Sequence, residues 1–372
     1  MLGRGLLLME WLVAAGALLL AFVNGANDNM KGVATLYGSG ALDYRGALGL
    51  ATVSTALGSL ASTLLAAGLV KAFSAQGLVP DAALTPQFLA SVALAAAATV
   101  LLATRLGFPV STTHALVGAL AGAGVVAAGS GLELSALGST FLLPLLAGPF
   151  LGGALAFGFD QAGGRIAALL GTARETCVCV EESPPLLSAG GSAAFADSRL
   201  TVVVAQRDAC AASGQARLLG FELGRVVDLG HLISAGMVGF ARGLNDTPKI
   251  LGLVVGADLA RPALGAAALG AAMALGGLVA ARRVAETLAK RLTPMSPTQG
   301  FSANAATAAL LVAASHFSLP VSTTHVSTGG IFGIGASHGG LHARMAGEVV
   351  LAWLATLPLA ALLGLVSMWA LR

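Results

Sequence analysis

Apolar runs separated by short polar breaks set the pattern of this chain. In the first half they cover residues 6–38, 46–70, 87–105, 109–128 and 137–159; in the second they cover 221–255, 262–281, 300–317, 320–336 and 346–371. Most approach the roughly 20 apolar residues that a helix needs to cross a bilayer. The first run of each half is longer than one straight span, and each contains an Asn-Asp pair, Asn27-Asp28 and Asn245-Asp246. Both helices are expected to break there. Asp160 to about Arg217 is polar and contains Pro184-Pro185; within it Leu200 to Val204 reads as a short strand. Arg282 to Gln299 is a second polar link. The pattern divides the chain into a first transmembrane repeat at 1–160, a cytoplasmic loop at 161–217 and a second repeat at 218–372. The expected class is an all-α polytopic membrane protein, with two inverted repeats of about five spans each and broken helices at the midplane.

The halves share motifs in the same order. Pro109-Val110-Ser111-Thr112-Thr113-His114 is repeated as Pro320-Val321-Ser322-Thr323-Thr324-His325, and Gly118, Gly122 and Gly124 follow as Gly329, Gly333 and Gly335 do. Upstream, Phe22, Gly25, Asn27, Asp28 and Lys31 match Phe240, Gly243, Asn245, Asp246 and Lys249. Five crossings are an odd number, which turns the second half upside down about a pseudo-two-fold axis in the membrane plane. A Pro-Val-Ser-Thr-Thr-His segment that re-entered instead of crossing would make each half even and remove the inversion.

Composition narrows the picture. Of 372 residues 56% are hydrophobic and 10% charged, with a mean hydropathy of +0.86. Soluble domains carry about 25% charged residues, so a soluble all-helical protein is set aside. The 50 glycines suit close helix packing in lipid. A net charge of +3 gives no reason to expect nucleic acid. The N-terminus carries Arg4 and Glu10 and lacks a small-residue cleavage site, so it is read as a retained span and not a signal peptide. Cys177, Cys179 and Cys210 share the polar loop. A metal site is conceivable there, but no histidine lies nearby, and free thiols in a reducing cytoplasm are expected.

Basic residues set the orientation. With the N-terminus outside, the cytoplasmic side receives Arg45, Arg105, Arg165, Arg174, Arg199, Arg207, Arg217, Arg282, Arg283, Lys290, Arg291 and Arg344. The outer side receives Arg4, Lys71, Arg261 and Arg372, while Lys31, Arg225, Arg242 and Lys249 stay within spans. The positive-inside rule favours this arrangement.

Ionisable groups in mid-membrane cost about 2.5–3.5 kcal/mol each on insertion scales and usually mark function. In each half Lys follows Asp by three residues, a spacing that lets the two pair on a helix. Pairing could merely hold broken helices together. Alternatively, carboxylate and Asn oxygens hold a cation while the lysines face an anion. The Ser-Thr-Thr segments place hydroxyls at helix starts, where free N–H groups and the helix dipole favour a tetrahedral oxyanion. Ordinary capping would use one hydroxyl, not three in both copies. His114 and His325 are candidate ligands, proton carriers or supporting donors. A Ser/His/Asp hydrolase is possible on residue types alone, but the sequence fixes no nucleophile–base geometry. Glu222, Arg225, Asp228 and His231 form one polar helix face that lines a pathway or meets a subunit; the sequence leaves both open.

At these residues the chain resembles the inorganic phosphate transporter (PiT) family of phosphate permeases. The matching elements are Gly25-Ala26-Asn27-Asp28 with Thr35 and Gly38-Ser39-Gly40, Asn245-Asp246 with Lys249, Gln299-Gly300-Phe301, and both Pro-Val-Ser-Thr-Thr-His segments. The likeness covers both halves apart from the 160–217 loop. It implies a non-enzymatic secondary transporter with no cofactor beyond a coupling ion, carrying orthophosphate with Na⁺ or H⁺. It also implies a homodimer, a multi-pass location in the plasma or bacterial inner membrane, and outward termini. Carried over by motif, Asn27, Asp28, Asn245 and Asp246 belong to the ion and phosphate site. Lys31 and Lys249 join them, Ser111, Thr112, Thr113, Ser322, Thr323 and Thr324 donate to phosphate, and His114, His325 and Gln299 support these groups. The Asn oxygens favour Na⁺ over a proton, since a metal ion needs ligands that a proton does not. Thr55 and Asn304 stand where animal members carry glutamates. A proton-coupled phosphate or sulfate permease, a passive anion channel and a non-transporting receptor are the competing readings.

The orientation is testable. Cys177, Cys179 and Cys210 are expected to resist an impermeant thiol reagent applied to intact cells and to react once the membrane is opened; labelling from outside would reverse the topology.

Overall fold

A computed structural model of the chain describes residues 2–169, 176–182, 200–206, 217–259, 261–292 and 295–372. Of these, 2–6, 176–182, 200–206, 217–224 and 290–292 are described by their backbone alone. The three cysteine side chains and that of Glu222 therefore lie outside the description.

Among the described residues ten long helices carry the fold. In the first half they are α1 (Leu2–Asp28), α2 (Tyr44–Leu65), α3 (Pro86–Leu106), α4 (Thr112–Ala128) and α5 (Leu143–Leu169). In the second they are α6 (Leu223–Gly256), α7 (Pro262–Ala280), α8 (Pro297–His316), α9 (Thr323–His338) and α10 (Ala343–Ala370). Local chemistry sets their ends. Asp43 and Thr85 cap α2 and α3, and Gly107 ends α3 at φ +81, a left-handed conformation natural to glycine. Among the described residues seven helical segments are long and apolar enough to cross a membrane, taken from α1–α5, α7 and α10. α6 and α8 carry more polar residues, and α9 is only 16 residues long. Large apolar side chains face outward, Leu64 at 85% exposure and Phe150 at 78% among them. That suits lipid and not water.

The elements differ from the sequence expectation at several points. The break at the first Asn-Asp is present: α1 ends at Asp28, turns through residues 29–33, and a short helix resumes at Ala34–Gly38. The second copy does not break; α6 runs unbroken through Asn245-Asp246 with Pro248 inside it. Proline lacks an N–H, so one hydrogen bond is missing there without ending the helix. The expected 46–70 span divides at Ala66, before a separate helix Ala67–Phe73. The expected 137–159 span starts as a π-helix at Leu137–Leu142, and α5 continues past it to Leu169. The 282–299 link is mostly helical, Arg282–Glu286 and then a π-turn at Thr287–Leu292. Three antiparallel strands, β1 (Thr176–Glu182), β2 (Leu200–Gln206) and β3 (Arg217–Glu222), form a sheet in the order β2-β1-β3. Only β2 was legible beforehand.

The halves exchange partners. α1 packs on α3 and α7, as α6 packs on α8 and α2; α4 packs on α10, as α9 packs on α5. Such reciprocity is what a two-fold relation produces. Glycines allow it. A Cβ at Gly25 would lie 1.9 Å from the Met273 carbonyl oxygen, and one at Gly276 would lie 1.8 Å from that of Phe22. At the matching crossing a Cβ at Gly58 would lie 1.9 Å from the Phe240 oxygen, and one at Gly243 would lie 2.2 Å from that of Thr55. At one end of the bundle Arg283 donates to the Arg105 carbonyl at 2.7 Å, and His338 meets Asp160 at 2.7 Å. At the other end Glu133 N–H donates to the Leu78 carbonyl at 3.0 Å, and the Arg372 guanidinium reaches the Val126 carbonyl.

Backbone contact of this kind leaves no room for a side chain. Gly276→Val is expected to lower the thermal transition of the detergent-purified protein steeply, by the upper end of overpacking costs, about 3 kcal/mol. Gly163→Ala, which meets nothing within 4 Å, is expected to melt like the unaltered protein.

Candidate functional site

The two Pro-Val-Ser segments run extended into the starts of α4 and α9. Ser111 caps α4 by accepting from His114 N–H at 3.0 Å, and Ser322 caps α9 by accepting from His325 N–H at 3.2 Å. The first hydroxyl of each Ser-Thr-Thr is thus an ordinary N-cap, with its O–H still a donor. Neither hydroxyl is bonded to an imidazole, so the two motif serines make no nucleophile–base pair. Asn27 holds its segment in place. Its amide donates to Thr104 Oγ1 at 2.9 Å and the Phe108 carbonyl at 3.0 Å, and its Oδ1 accepts from Val110 N–H at 3.0 Å. Asn245 does the same work, donating to the Val321 carbonyl at 3.2 Å and accepting from Ser315 Oγ at 3.4 Å.

The lysines join the halves. Lys31 pairs with Asp28 of its own half, donates to the Val110 carbonyl at 3.0 Å, and donates across to Thr324 Oγ1 of the other half. Lys249 pairs with Asp246 Oδ1 at 3.3 Å, donates to the Val321 carbonyl at 2.6 Å, and donates across to Thr113 Oγ1 at 2.8 Å. Each ammonium has three protons and three partners. All four charged side chains are at most 3% exposed.

Between the pairs lies Asn24. Its amide nitrogen is 2.9 Å from Thr112 Oγ1 and 3.3 Å from both Asp28 Oδ2 and Asp246 Oδ2. Thr323 Oγ1 donates to the same Asp246 oxygen at 3.3 Å. Three oxygens from both halves therefore lie within 3.3 Å of one amide nitrogen, and Thr323 joins them through Asp246. Arg242, four residues before Asp246, donates to Asn24 Oδ1 at 2.6 Å, Asn29 Oδ1 at 3.1 Å and Thr55 Oγ1 at 3.0 Å.

The structure brings Asp28, Lys31, Thr112, Thr113, Asp246, Lys249, Thr323 and Thr324 into one network, with Asn27, Asn245, Ser111 and Ser322 shaping its walls. His114 and His325 lie edge to face behind it, 4.3 Å between ring centres, and His325 packs 4.1 Å from Trp353. Gln299 does not come to the network. It forms a capping box with Ser296 at the start of α8, its Oε1 accepting from Ser296 N–H at 2.8 Å. The polar face of α6 divides: Arg225 and Asp228 are exposed, while His231 is buried, 2.9 Å from Thr35 Oγ1. Asn304 donates to that same hydroxyl at 2.9 Å. Asn24 and Arg242 were missed as site residues. Their signal was position, since each precedes an intramembrane Asp by one helical turn.

Comparison with known proteins gives the family. The sequence profile described as "Phosphate transporter family" matches residues 24–364. A probable low-affinity inorganic phosphate transporter of Mycobacterium bovis is 30% identical over 366 residues, spanning 95% of this chain and 75% of its own length. A protein of the same description from Bacillus subtilis is 26% identical and covers 99% of this chain and 98% of its own. Among solved structures, one described as the sodium-dependent phosphate transporter aligns over 98% of both chains with a TM-score of 0.75 at 21% identity, a likeness of fold. The chain belongs to the phosphate transporter family, whose members are transporters and not enzymes, and it is an integral multi-pass membrane protein.

Proposed function

We propose that this member of the phosphate transporter family carries inorganic phosphate across a membrane in symport with a cation, Na⁺ in preference to H⁺. The observation that carries the reading is the crossed lysine arrangement. Each ammonium bonds a carboxylate and a carbonyl of its own half and a hydroxyl of the other. An anion that takes those donors changes contacts in both halves at once. Ser111, Thr112, Thr113, Ser322, Thr323 and Thr324 supply further donors at two helix N-termini, a setting suited to a tetrahedral oxyanion. Phosphate bearing a proton can also donate to a carboxylate.

The oxygens around Asn24 are the reason to favour Na⁺. Asp28, Asp246 and Thr112 converge there, Thr323 bonds the same Asp246 oxygen, the Asn245 amide donates to Asp246, and the amide oxygens of Asn27 and Asn245 each retain a second lone pair. A proton needs one oxygen; a metal ion needs several. A charge drawn to phosphate leaves its Asp partner unpaired, and an unpaired buried carboxylate is costly, so the cation and the anion favour each other.

The inverted topology, with outward termini and residues 161–217 in the cytoplasm, belongs to the same proposal. It draws support from the exchanged helix partners and from end contacts such as Arg283 to Arg105, which bring together segments that ten crossings assign to one side. The plasma or bacterial inner membrane and a homodimer complete the reading.

The test is labelled phosphate uptake into proteoliposomes under separate Na⁺ and proton gradients. Asp28→Asn and Asp246→Asn are each expected to abolish accumulation while remaining monodisperse; accumulation by both variants would make the carboxylates structural, and uptake that ignores Na⁺ but follows a proton gradient would remove the Na⁺ assignment. In competition, arsenate is expected to block as well as unlabelled phosphate and sulfate poorly. Equal block by sulfate would refute selection for phosphate.

A further inference from the structure

Five Asp, Lys and Arg side chains are buried among the described residues: Asp28, Asp246, Lys31, Lys249 and Arg242. Three are cations and two are anions, so the ionised cluster holds a surplus of one positive charge. The two Lys–Asp pairs repeat between the halves and balance. The surplus is Arg242, and it breaks the repeat, because the matching place in the first half holds the neutral Asn24.

The surroundings of Arg242 are unusual for a structural arginine. Its terminal nitrogens donate to neutral oxygens of the opposite half: Asn24 Oδ1 at 2.6 Å, the Asn24 carbonyl at 3.3 Å, Asn29 Oδ1 at 3.1 Å and Thr55 Oγ1 at 3.0 Å. Its Nε has no hydrogen-bond partner and stands 3.8 Å from Asp246 Oδ2. Lys249 holds the other oxygen of that carboxylate. A fork-to-carboxylate pair would have bonded both Asp oxygens. Instead the guanidinium is tied down by uncharged groups and turned, with a donor unused, toward the oxygens that converge on Asn24. Arginine cannot shed its proton when buried as lysine can, so the charge is permanent.

We propose that Arg242 is a tethered counter-cation. It supplies to the transport site one positive charge that a coupling cation would otherwise bring, and so lowers by one the number of Na⁺ ions or protons taken up with each phosphate. This rests on the phosphate symport proposed above. Arg242 acts as a positioning residue: it sets the field of Asp246 and holds Asn24, without itself having to touch the anion.

The cation count decides it. The full chain is reconstituted as the unaltered protein, Arg242→Lys, Arg242→Gln and Asn24→Asp. The cation-to-phosphate ratio is read from the cation gradient that just halts net labelled-phosphate flux against a fixed phosphate gradient. In parallel, the slope of equilibrium phosphate binding against cation concentration is measured on the purified protein. Arg242→Lys keeps the charge and is expected to keep the ratio. Arg242→Gln removes the charge, Asn24→Asp cancels it from the other half with Arg242 in place, and each is expected to raise the ratio by one and steepen the binding slope. A purely structural arginine would lower yield and melting temperature and leave the count alone. Both charge-altering variants matching the unaltered count would overturn the proposal, as would a Lys variant that counts like Gln; Asn24→Asp decides alone where the Gln variant is not monodisperse. Phosphate neither bound nor moved by the unaltered protein would overturn the symport reading and this inference together.

Discussion

A charge placed in the middle of a membrane must be answered by another charge or by several hydrogen bonds, and the rest of this structure follows from that demand. No single helix can supply the answer. Lys31 needs Asp28 from the end of α1, the Val110 carbonyl from the extended segment before α4, and Thr324 from the start of α9. Those groups come from both halves of the chain. The buried charges therefore specify the fold as much as the apolar faces do, and specification by polar partners is strongest where water is absent to substitute for them.

Close packing is what makes the partners reachable. Threonine hydroxyls and backbone carbonyls have short reach, so helices bearing them must approach nearly to backbone contact. The crossings of α1 with α7 and of α6 with α2 achieve this through Gly25, Gly276, Gly58 and Gly243. In lipid there is little hydrophobic force between helices, and small residues provide the close contact that replaces it. The same glycines that let helices pack thus fix the depth and separation of the carboxylates. The exposed leucines and aromatics do the opposite work, dissolving the bundle in lipid without selecting its internal geometry.

Most of the fold was legible because its signals are local or duplicated. Apolar runs gave the ten long helices, and the repeated Asn-Asp and Pro-Val-Ser-Thr-Thr-His segments gave the residues that meet in the centre. The failures share a cause. α6 was expected to break because it copies the first Asn-Asp, yet Pro248 removes only one hydrogen bond and the helix continues. The sheet was mostly unseen because β1 and β3 pair with segments distant in sequence and carry no repeat. Gln299 sits in a recognisable motif, but its side chain closes a capping box at a helix start, a role that composition does not separate from ligand binding. Arg242 and Asn24 were overlooked for another reason. They are where the buried charges of the two halves differ among the described residues, and a search for repeats is blind to what is not repeated.

That difference bears on how a carrier with two matching halves can favour a direction of coupling. Were the site fully symmetric, the two Lys–Asp pairs would feel the same field, and an anion would have no reason to disturb one before the other. Arg242 stands beside Asp246, at 3.8 Å, and not beside Asp28 as an ion-pair partner. Asn24, bonded to Arg242 and to both carboxylates, links the guanidinium to the two pairs in different ways. In the second half two cations, Lys249 and Arg242, face one carboxylate; in the first, Lys31 alone is ion-paired with Asp28. One change of charge at a repeated position is thus enough to give two matching Lys–Asp pairs unlike ionic partners, which a duplicated scaffold alone would not do.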